Sequence, residues 1–367
     1  MKKVLFVFGT RPEAIKMCPL IIKMKMQKEI ECKICLTGQH REMLKQVMDT
    51  FDLKEDYNLN IMKVKQSITG VTVSILQGID EILDIEKPNF VFVHGDTTTS
   101  FVAALAAFYK KISVCHVEAG LRTNDKYSPY PEEMNRRLIS RIADIHFAPT
   151  KLNKDNLLKE NVKENVYITG NTVIDSFAYT IKDGYVFENK NLNEIDYSKN
   201  KIILLTAHRR ENWGENLENI FLAVKKIAEN NDNVMIIYPV HLNPVVRDTA
   251  NKILHNVPNI KLIEPLSVID MHNLIAKSYF VMTDSGGLQE EAPALGKPVL
   301  VLRKETERKE AVKAGTAKLI GVDCNTIIKE TQELIDNEVV YNKMSTAINP
   351  YGDGYASEKI IDVIRKL

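Results

Sequence analysis

No apolar stretch in the chain approaches the ~20 residues that a bilayer-spanning helix requires. The run Val4 to Phe8 behind Lys2 and Lys3 is too short for a secretory leader. It stops at Gly9-Thr10-Arg11-Pro12, so it reads as a first strand, and a cytoplasmic protein is expected. Charge of one sign is also lacking: a formal net charge of +1 gives no general electrostatic case for binding nucleic acid or an anionic membrane. Cysteine is sparse, at positions 18, 32, 35, 115 and 324. Cys32 and Cys35 form a C-x-x-C, but no second pair completes a zinc site, and residues three apart on a strand point to opposite faces. No G-x-G-x-x-G follows a strand; Gly352-x-Gly354 lies in a late loop without the third glycine, and a Walker sequence is absent. No cofactor is therefore expected.

What is present is an ordinary globular balance, 44% hydrophobic and 26% charged over 367 residues, enough for two domains with cores. Short apolar runs alternate with segments of helical periodicity. Strands are expected at 3–8, 31–36, 90–93, 113–117 and 145–148, with helices between them. After a stretch at 171–200 without clear periodicity the alternation restarts, with strands at 202–206, 234–239, 260–263 and 279–283, and two helices close the chain. Strand–helix alternation implies a parallel sheet covered on both faces. The fold class is thus α/β, with two Rossmann-like, doubly wound parallel-sheet domains facing across a cleft. The first is expected over 1–170, joined by a C-terminal helix within 353–367, and the second over 171–352.

Val281 to Arg303, VMTDSGGLQEEAPALGKPVLVLR, is the most informative stretch. It reads as strand, glycine turn, short helix and second strand. Ser285, Gly286 and Gly287 would offer backbone N–H groups at a helix N-terminus, where the helix dipole favours an anion such as a phosphate. Glu290 and Glu291 follow one turn in, and a carboxylate there suits the hydroxyls of a ribose. A capped helix between two strands would carry the same pattern.

Ligands of open parallel sheets sit beyond the carboxyl ends of the strands. Asp96, Glu118 and the Arg11-Pro12-Glu13 loop all fall just past such ends, and Glu132 opens a helix. In the second half His208 follows a strand, with Arg209 and Arg210 beside it. His94-x-Asp96 and His116-x-Glu118 could together cradle a divalent ion. Both histidines precede their carboxylates at strand ends, where a ring can donate to backbone, so no metal is expected.

Seven long segments together resemble the non-hydrolysing UDP-N-acetylglucosamine 2-epimerases of the GT-B fold. They are Phe8-GTRPEAIKM-Cys18, His94-GDTTTS-Phe101, His116-VEAGLRT-Asn124, Pro131-EEMNR-Arg137, Thr206-AHRREN-Trp213, Tyr238-PVHLNPVV-Arg247 and Thr283-DSGGLQEEAPALGKPVLVLR-Lys304. The resemblance covers nearly the whole chain. It implies reversible conversion of UDP-N-acetylglucosamine to UDP-N-acetylmannosamine for polysaccharide biosynthesis, by elimination of UDP to a 2-acetamidoglucal and re-addition, in a homodimer. By matching position it implies acid/base roles for Asp96, Glu118 and Glu132, and a place for His208 at the leaving phosphate. Arg11 and Lys16 match ligand contacts of the first half; Ser285, Gly286 and Gly287 phosphate contacts; Glu291 the ribose contact; Arg308 another nucleotide-side residue. Leu266 and Met271 stand at the uracil, with Met271 replacing an aromatic of many relatives. Gln39, His40, Arg209 and His241 match a second-substrate, allosteric region in which Glu42 and Lys65 replace Gln and Arg. The other readings of these residues are a hydrolysing 2-epimerase releasing UDP and N-acetylmannosamine, a GT-B glycosyltransferase, and a nucleotide-sugar sensor.

Overall fold

A computed structural model describes residues 1–38, 41–62 and 66–367 as two compact units. Unit 1 comprises Met1–Tyr179 with Tyr351–Leu367, and unit 2 comprises Thr180–Pro350. Gln39, His40 and Lys65 lie outside the described residues.

Unit 1 is built on a seven-stranded sheet. Its strands are β1 (Lys2–Phe8), β2 (Ile30–Leu36), β3 (Tyr57–Asn58), β4 (Phe90–His94), β5 (Ser113–Val117), β6 (Ile145–Ala148) and β7 (Val166–Ile168). All pair in parallel, in the order β3-β2-β1-β4-β5-β6-β7. A parallel sheet is covered on both faces, so its central strands need apolar residues without alternation. Val4 to Phe8 are all fully buried, and Phe6 packs at a tilt against Phe92 with ring centroids 4.9 Å apart.

The last helix, Ala356–Lys366, belongs to unit 1 although it is the C-terminus of the chain. Buried Asp175 accepts from the Ser357 N–H (2.7 Å) and the Ala356 N–H (3.2 Å), satisfying donors at that helix's first turn. Lys2 donates to the Ile364 carbonyl at the other end (2.7 Å), and Lys23 pairs with Glu358. Asp175 lies in a short helix, Thr172–Asp175, within the stretch that has no periodicity; four residues are too few to show one.

Unit 2 repeats the architecture with six strands. They are β8 (Lys201–Thr206), β9 (Val234–Pro239), β10 (Ile260–Ile263), β11 (Phe280–Thr283), β12 (Val299–Val301) and β13 (Ala317–Leu319), in the order β10-β9-β8-β11-β12-β13. Three helices follow β13 where two are expected from the pattern. Asn337 divides Cys324–Asp336 from Glu338–Ser345 by accepting from the Val339 and Val340 N–H groups (3.1 and 3.2 Å).

The strand orders locate the sites. Sheet order reverses between β1 and β4 in unit 1 and between β8 and β11 in unit 2. At such a reversal the connections leave in opposite directions and open a crevice past the carboxyl ends. Arg11 and Asp96 follow β1 and β4; His208 and Asp284 follow β8 and β11. Thr206 is in register with Thr283, and their hydroxyls are 2.6 Å apart, so β8 and β11 end level.

Candidate active-site residues in the two units

In unit 1 the turn after β5 is conformationally unusual. Glu118 has φ +63°, a left-handed backbone that L residues rarely adopt. Gly120, at φ +93°, has no alternative: a Cβ there would lie 2.2 Å from the Asn153 carbonyl oxygen. Backbone of this kind outside glycine concentrates at functional positions. Glu118 carries its carboxylate to the Lys16 ammonium, with which it forms an ion pair, and accepts from the Asn171 amide (2.9 Å). The His94 ring stands 3.6 Å from its other oxygen. Burial holds His94 down at about 4, with Glu118 pulling it up and Lys16 lowering it. Burial likewise brings His116 to about 3 against the pull of its Gly95 contact, so both rings are neutral near pH 7. His116 places Nε2 2.7 Å from the Gly95 carbonyl oxygen, as a ring turned to the backbone should. Among the described residues no group of three His, Cys, Asp or Glu is arranged to hold a metal ion.

Asp96 is gripped by Arg136, whose Nε lies 3.1 Å from Oδ2, and its backbone carbonyl accepts from Asn135 (2.9 Å). The same guanidinium reaches the fully buried Glu133 (3.2 Å). The side chain of Glu132, by contrast, is half-buried and makes no hydrogen bond or ion pair with the described residues. It lies one helical turn before Arg136, on the face that carries Asp96. Adjacent glutamates thus divide the work, one holding the arginine and the other left available. Arg11 opens the helix Arg11–Lys25. Glu13, buried in its first turn, accepts from the Gly9 N–H (3.0 Å), the Thr10 N–H (2.8 Å) and the hydroxyls of Thr97 and Ser100 (2.7 and 2.9 Å). That carboxylate ties the loop after β1 to the loop after β4. It carries no motif beyond a helix-capping glutamate, which is why the sequence gives no sign of its wider role.

In unit 2 the buried carboxylate of Asp284 organises the turn after β8. Its Oδ2 accepts from the N–H groups of His208 and Arg209 (both 2.8 Å) and from the Asn212 amide (3.0 Å). His208 stacks on His241, with centroids 5.1 Å apart and rings 5° from parallel. Burial holds the His208 imidazole below its ordinary value; Asp284 draws it back up, while His241 and Arg209 depress it further.

The glycine turn differs from expectation in detail. The Ser285 N–H is already donated to Thr283 Oγ1 (2.8 Å), so that group serves the turn itself. Gly286 is needed for a neighbouring cation: a Cβ there would approach Arg308 Cζ to 3.1 Å. At Gly287 a Cβ would meet Glu291 Oε1 at 3.0 Å, so this carboxylate folds back over the start of the helix Leu288–Ala294. Its other oxygen lies 3.7 Å from His272 Nε2, and His272 Nδ1 is 2.8 Å from Thr180 Oγ1. Leu266 is buried, and Met271 is half-buried on the helix Val268–Lys277 that also bears His272. Glu290 is engaged by a neighbouring cation. It accepts from Arg308 Nε (2.8 Å), and Arg308 also pairs with Glu307 (2.8 Å), which Arg303 contacts in turn (2.7 Å).

Glu307 supplies a pH dependence. Burial pushes its carboxyl up, but Arg308 and Arg303 outweigh burial and bring it to about 2, from 4.5. A depressed folded-state pKa contributes stability that is complete above the unfolded value and lost as pH falls through the folded one. Glu307→Gln is therefore expected to lower the thermal midpoint at pH 6 to 7. The deficit should shrink from pH ~4.5 towards pH ~2; a deficit constant across that range would contradict the ion-pair assignment.

The sequence matches a family model described as UDP-N-acetylglucosamine 2-epimerase over residues 22–365. The UDP-N-acetylglucosamine 2-epimerase of Bacillus subtilis is 54% identical over 361 residues, covering 98% of this chain and 94% of the relative. The chain belongs to the UDP-N-acetylglucosamine 2-epimerase family. Among solved structures, the family's Neisseria meningitidis enzyme, bound to UDP-GlcNAc, superposes with a TM-score of 0.91 at 48% identity over the full length of both chains. The Methanocaldococcus jannaschii enzyme, in complex with UDP-GlcNAc and UDP, does so at 0.81 and 34%, again over both full lengths. The two parallel-sheet units are those of the GT-B fold on which this family is built. No helix among the described residues is long and apolar enough to cross a membrane.

Within this 2-epimerase framework the structure gathers Lys16 and Glu118 directly, and reaches Asp96 and Glu132 through the helix that bears Arg136. It gathers His208, Arg209 and His241 at one sheet edge. Glu13, Glu133, Arg136, Asn171, His272 and Asp284 are partners that motif reading passes over. Their function is to hold other side chains, and such pairings depend on contacts between distant segments.

Proposed function

We propose that the chain interconverts UDP-N-acetylglucosamine and UDP-N-acetylmannosamine without hydrolysis. The observation that carries this reading is the charge arrangement at the two switch points. Unit 1 sets carboxylates beside cations after β4 and β5, while unit 2 sets a histidine and arginines after β8 and β12. The hydrogen at C2 is only weakly acidic, because no carbonyl adjoins that carbon. A carboxylate of unit 1 takes this proton as the C1–O bond to UDP breaks. The C–H electron pair becomes the C1=C2 bond of a 2-acetamidoglucal, and the C1–O pair leaves on the diphosphate. In the reverse sense UDP oxygen returns to C1, and a second carboxyl group delivers a proton to the opposite face of C2. Each proton transfer of this type is assisted by roughly 10²–10⁴-fold.

The diphosphate falls to unit 2. An imidazolium at His208 offsets charge that develops on the departing oxygen, and Arg308 together with the Gly286-Gly287 turn binds the phosphates. Glu291 takes the ribose hydroxyls, with Leu266 and Met271 against the base. A thioether can cover a base face in place of an aromatic ring. UDP-GlcNAc and UDP, the molecules bound by the solved relatives, are accordingly the ligands proposed here.

Incubation with UDP-N-acetylglucosamine alone in deuterium oxide, followed by proton NMR, tests the reading. The expected product is UDP-N-acetylmannosamine carrying deuterium at C2. Free N-acetylmannosamine with UDP would replace the proposal by the hydrolysing reaction. An inverted sugar that kept its original hydrogen would rule out the elimination.

A further inference from the structure

We infer that Asp284 is a positioning residue that fixes the His208 tautomer, holding Nδ1–H inward and directing Nε2 to the leaving diphosphate. The inference rests on the function proposed above for His208, and extends it to a residue with no part in the proton transfers.

Asp284 is completely buried at the end of β11. A buried carboxylate is costly unless its oxygens are satisfied. Oδ2 is saturated by the two backbone N–H groups and the Asn212 amide. Oδ1 is buried without a hydrogen-bond partner, and His208 Nδ1 lies 3.5 Å away. The charged and titratable groups facing His208 are Asp284 from β11, His241 from beyond β9, and Arg209 from its own loop. Of these only Asp284 is an anion, and it lies nearest Nδ1, so a proton on Nδ1 satisfies Oδ1 and a lone pair there opposes it.

The surroundings leave His208 little freedom to turn away. Its N–H is held by Asp284, its carbonyl accepts from Trp213 Nε1 (3.2 Å), and the preceding carbonyl of Ala207 accepts from Tyr238 (2.6 Å). The stacked His241 has its own tautomer set the other way, because its Nδ1 accepts from the Asn243 N–H (3.1 Å). Two parallel rings therefore present different nitrogens, and only His208 has an anion behind it. That geometry makes Nε2 the atom able to carry a proton to the diphosphate oxygen. The carboxylate stabilises the imidazolium that donates this proton, and the neutral Nδ1–H tautomer is what remains, without Asp284 taking up a proton itself.

The first arm of the test leaves Asp284 unchanged. Long-range proton–nitrogen spectra of histidine-labelled wild-type protein, assigned by difference against His208→Gln, read the neutral tautomer directly. An Nδ1–H tautomer supports the inference, and an Nε2–H tautomer overturns it even if that variant pair is the only sample that folds. In Asp284→Asn the side-chain oxygen can keep the three N–H bonds while the amide NH₂ faces Nδ1, so the tautomer should invert to Nε2–H. Turnover should fall by about 10²-fold, and the alkaline limb of the kcat profile should move down by about one pH unit. A lower rate with an unmoved limb and an unchanged tautomer would mean that Asp284 only supports the fold. The spectra stand apart from turnover: absence of epimerisation alongside the Nδ1–H tautomer would sink the proposed function and leave the tautomer assignment intact.

Discussion

Asp96→Asn and Glu118→Gln are each expected to slow epimerisation by about 10²–10⁴-fold while changing UDP affinity far less. Both replacements keep the shape of the side chain and remove its charge and its ability to accept or return a proton. Glu118 is the sharper case. Its backbone is held at φ +63°, and its carboxylate meets Lys16 and Asn171. Strained backbone persists only where surrounding contacts over-determine it, and here those contacts all converge on one carboxylate. Gln can still accept from Asn171, so the turn should survive, and what disappears is the proposed acid/base carboxylate. The same logic applies to Asp96, with Arg136 as its cation. Steady-state kinetics with UDP binding measured by calorimetry decide the matter. A drop in kcat with near-constant affinity is the expected split, because an interaction made only in the transition state affects both kcat and kcat/KM. Parallel losses in rate and UDP affinity would assign these residues to structure.

Glu290→Ala is expected to cost on the order of 3 kcal/mol in unfolding free energy and to weaken UDP binding as well. Both partners of the Glu290–Arg308 pair are buried, with side-chain exposures of 4% and 11%. Removing one partner of such a pair leaves the other charge desolvated, which is far worse than replacing both. Arg308 retains Glu307, so the loss should fall at the lower end of the range for broken buried pairs. It would also be released from its seat against Gly286, where no Cβ could be accommodated without displacing the guanidinium. Denaturant titration and calorimetry with UDP measure the two effects. Unchanged stability together with weakened binding would return Glu290 to the ligand-contact role suggested by its neighbour Glu291.

Much of the architecture was legible because a parallel sheet writes itself locally. Val4 to Phe8, Phe90 to His94 and Ile202 to Thr206 are continuous apolar runs ended by polar turns, and each is a central strand. Of the edge strands, Ile260–Ile263 was legible, but Tyr57–Asn58, Val166–Ile168 and Ala317–Leu319 were not: they have only two or three residues each, too few for any pattern. The short helix with Asp175 escaped for the same reason, and with it the residue that caps the C-terminal helix.

For the sites, the chain alone determined which residues stand past strand ends, since that follows from order along one backbone. Asp96, Glu118, His208 and the Ser285-Gly286-Gly287 turn are all of this kind. Only the tertiary structure decided what each polar group does, because a buried charge is defined by partners tens or hundreds of residues away. It separated Glu132 from Glu133, of which one is available and the other spent on two arginines. It likewise gave Glu290 to Arg308, and laid Glu291 over Gly287. It placed Asp284 behind His208 across 76 residues of chain, a pairing that exists only because β8 and β11 lie side by side.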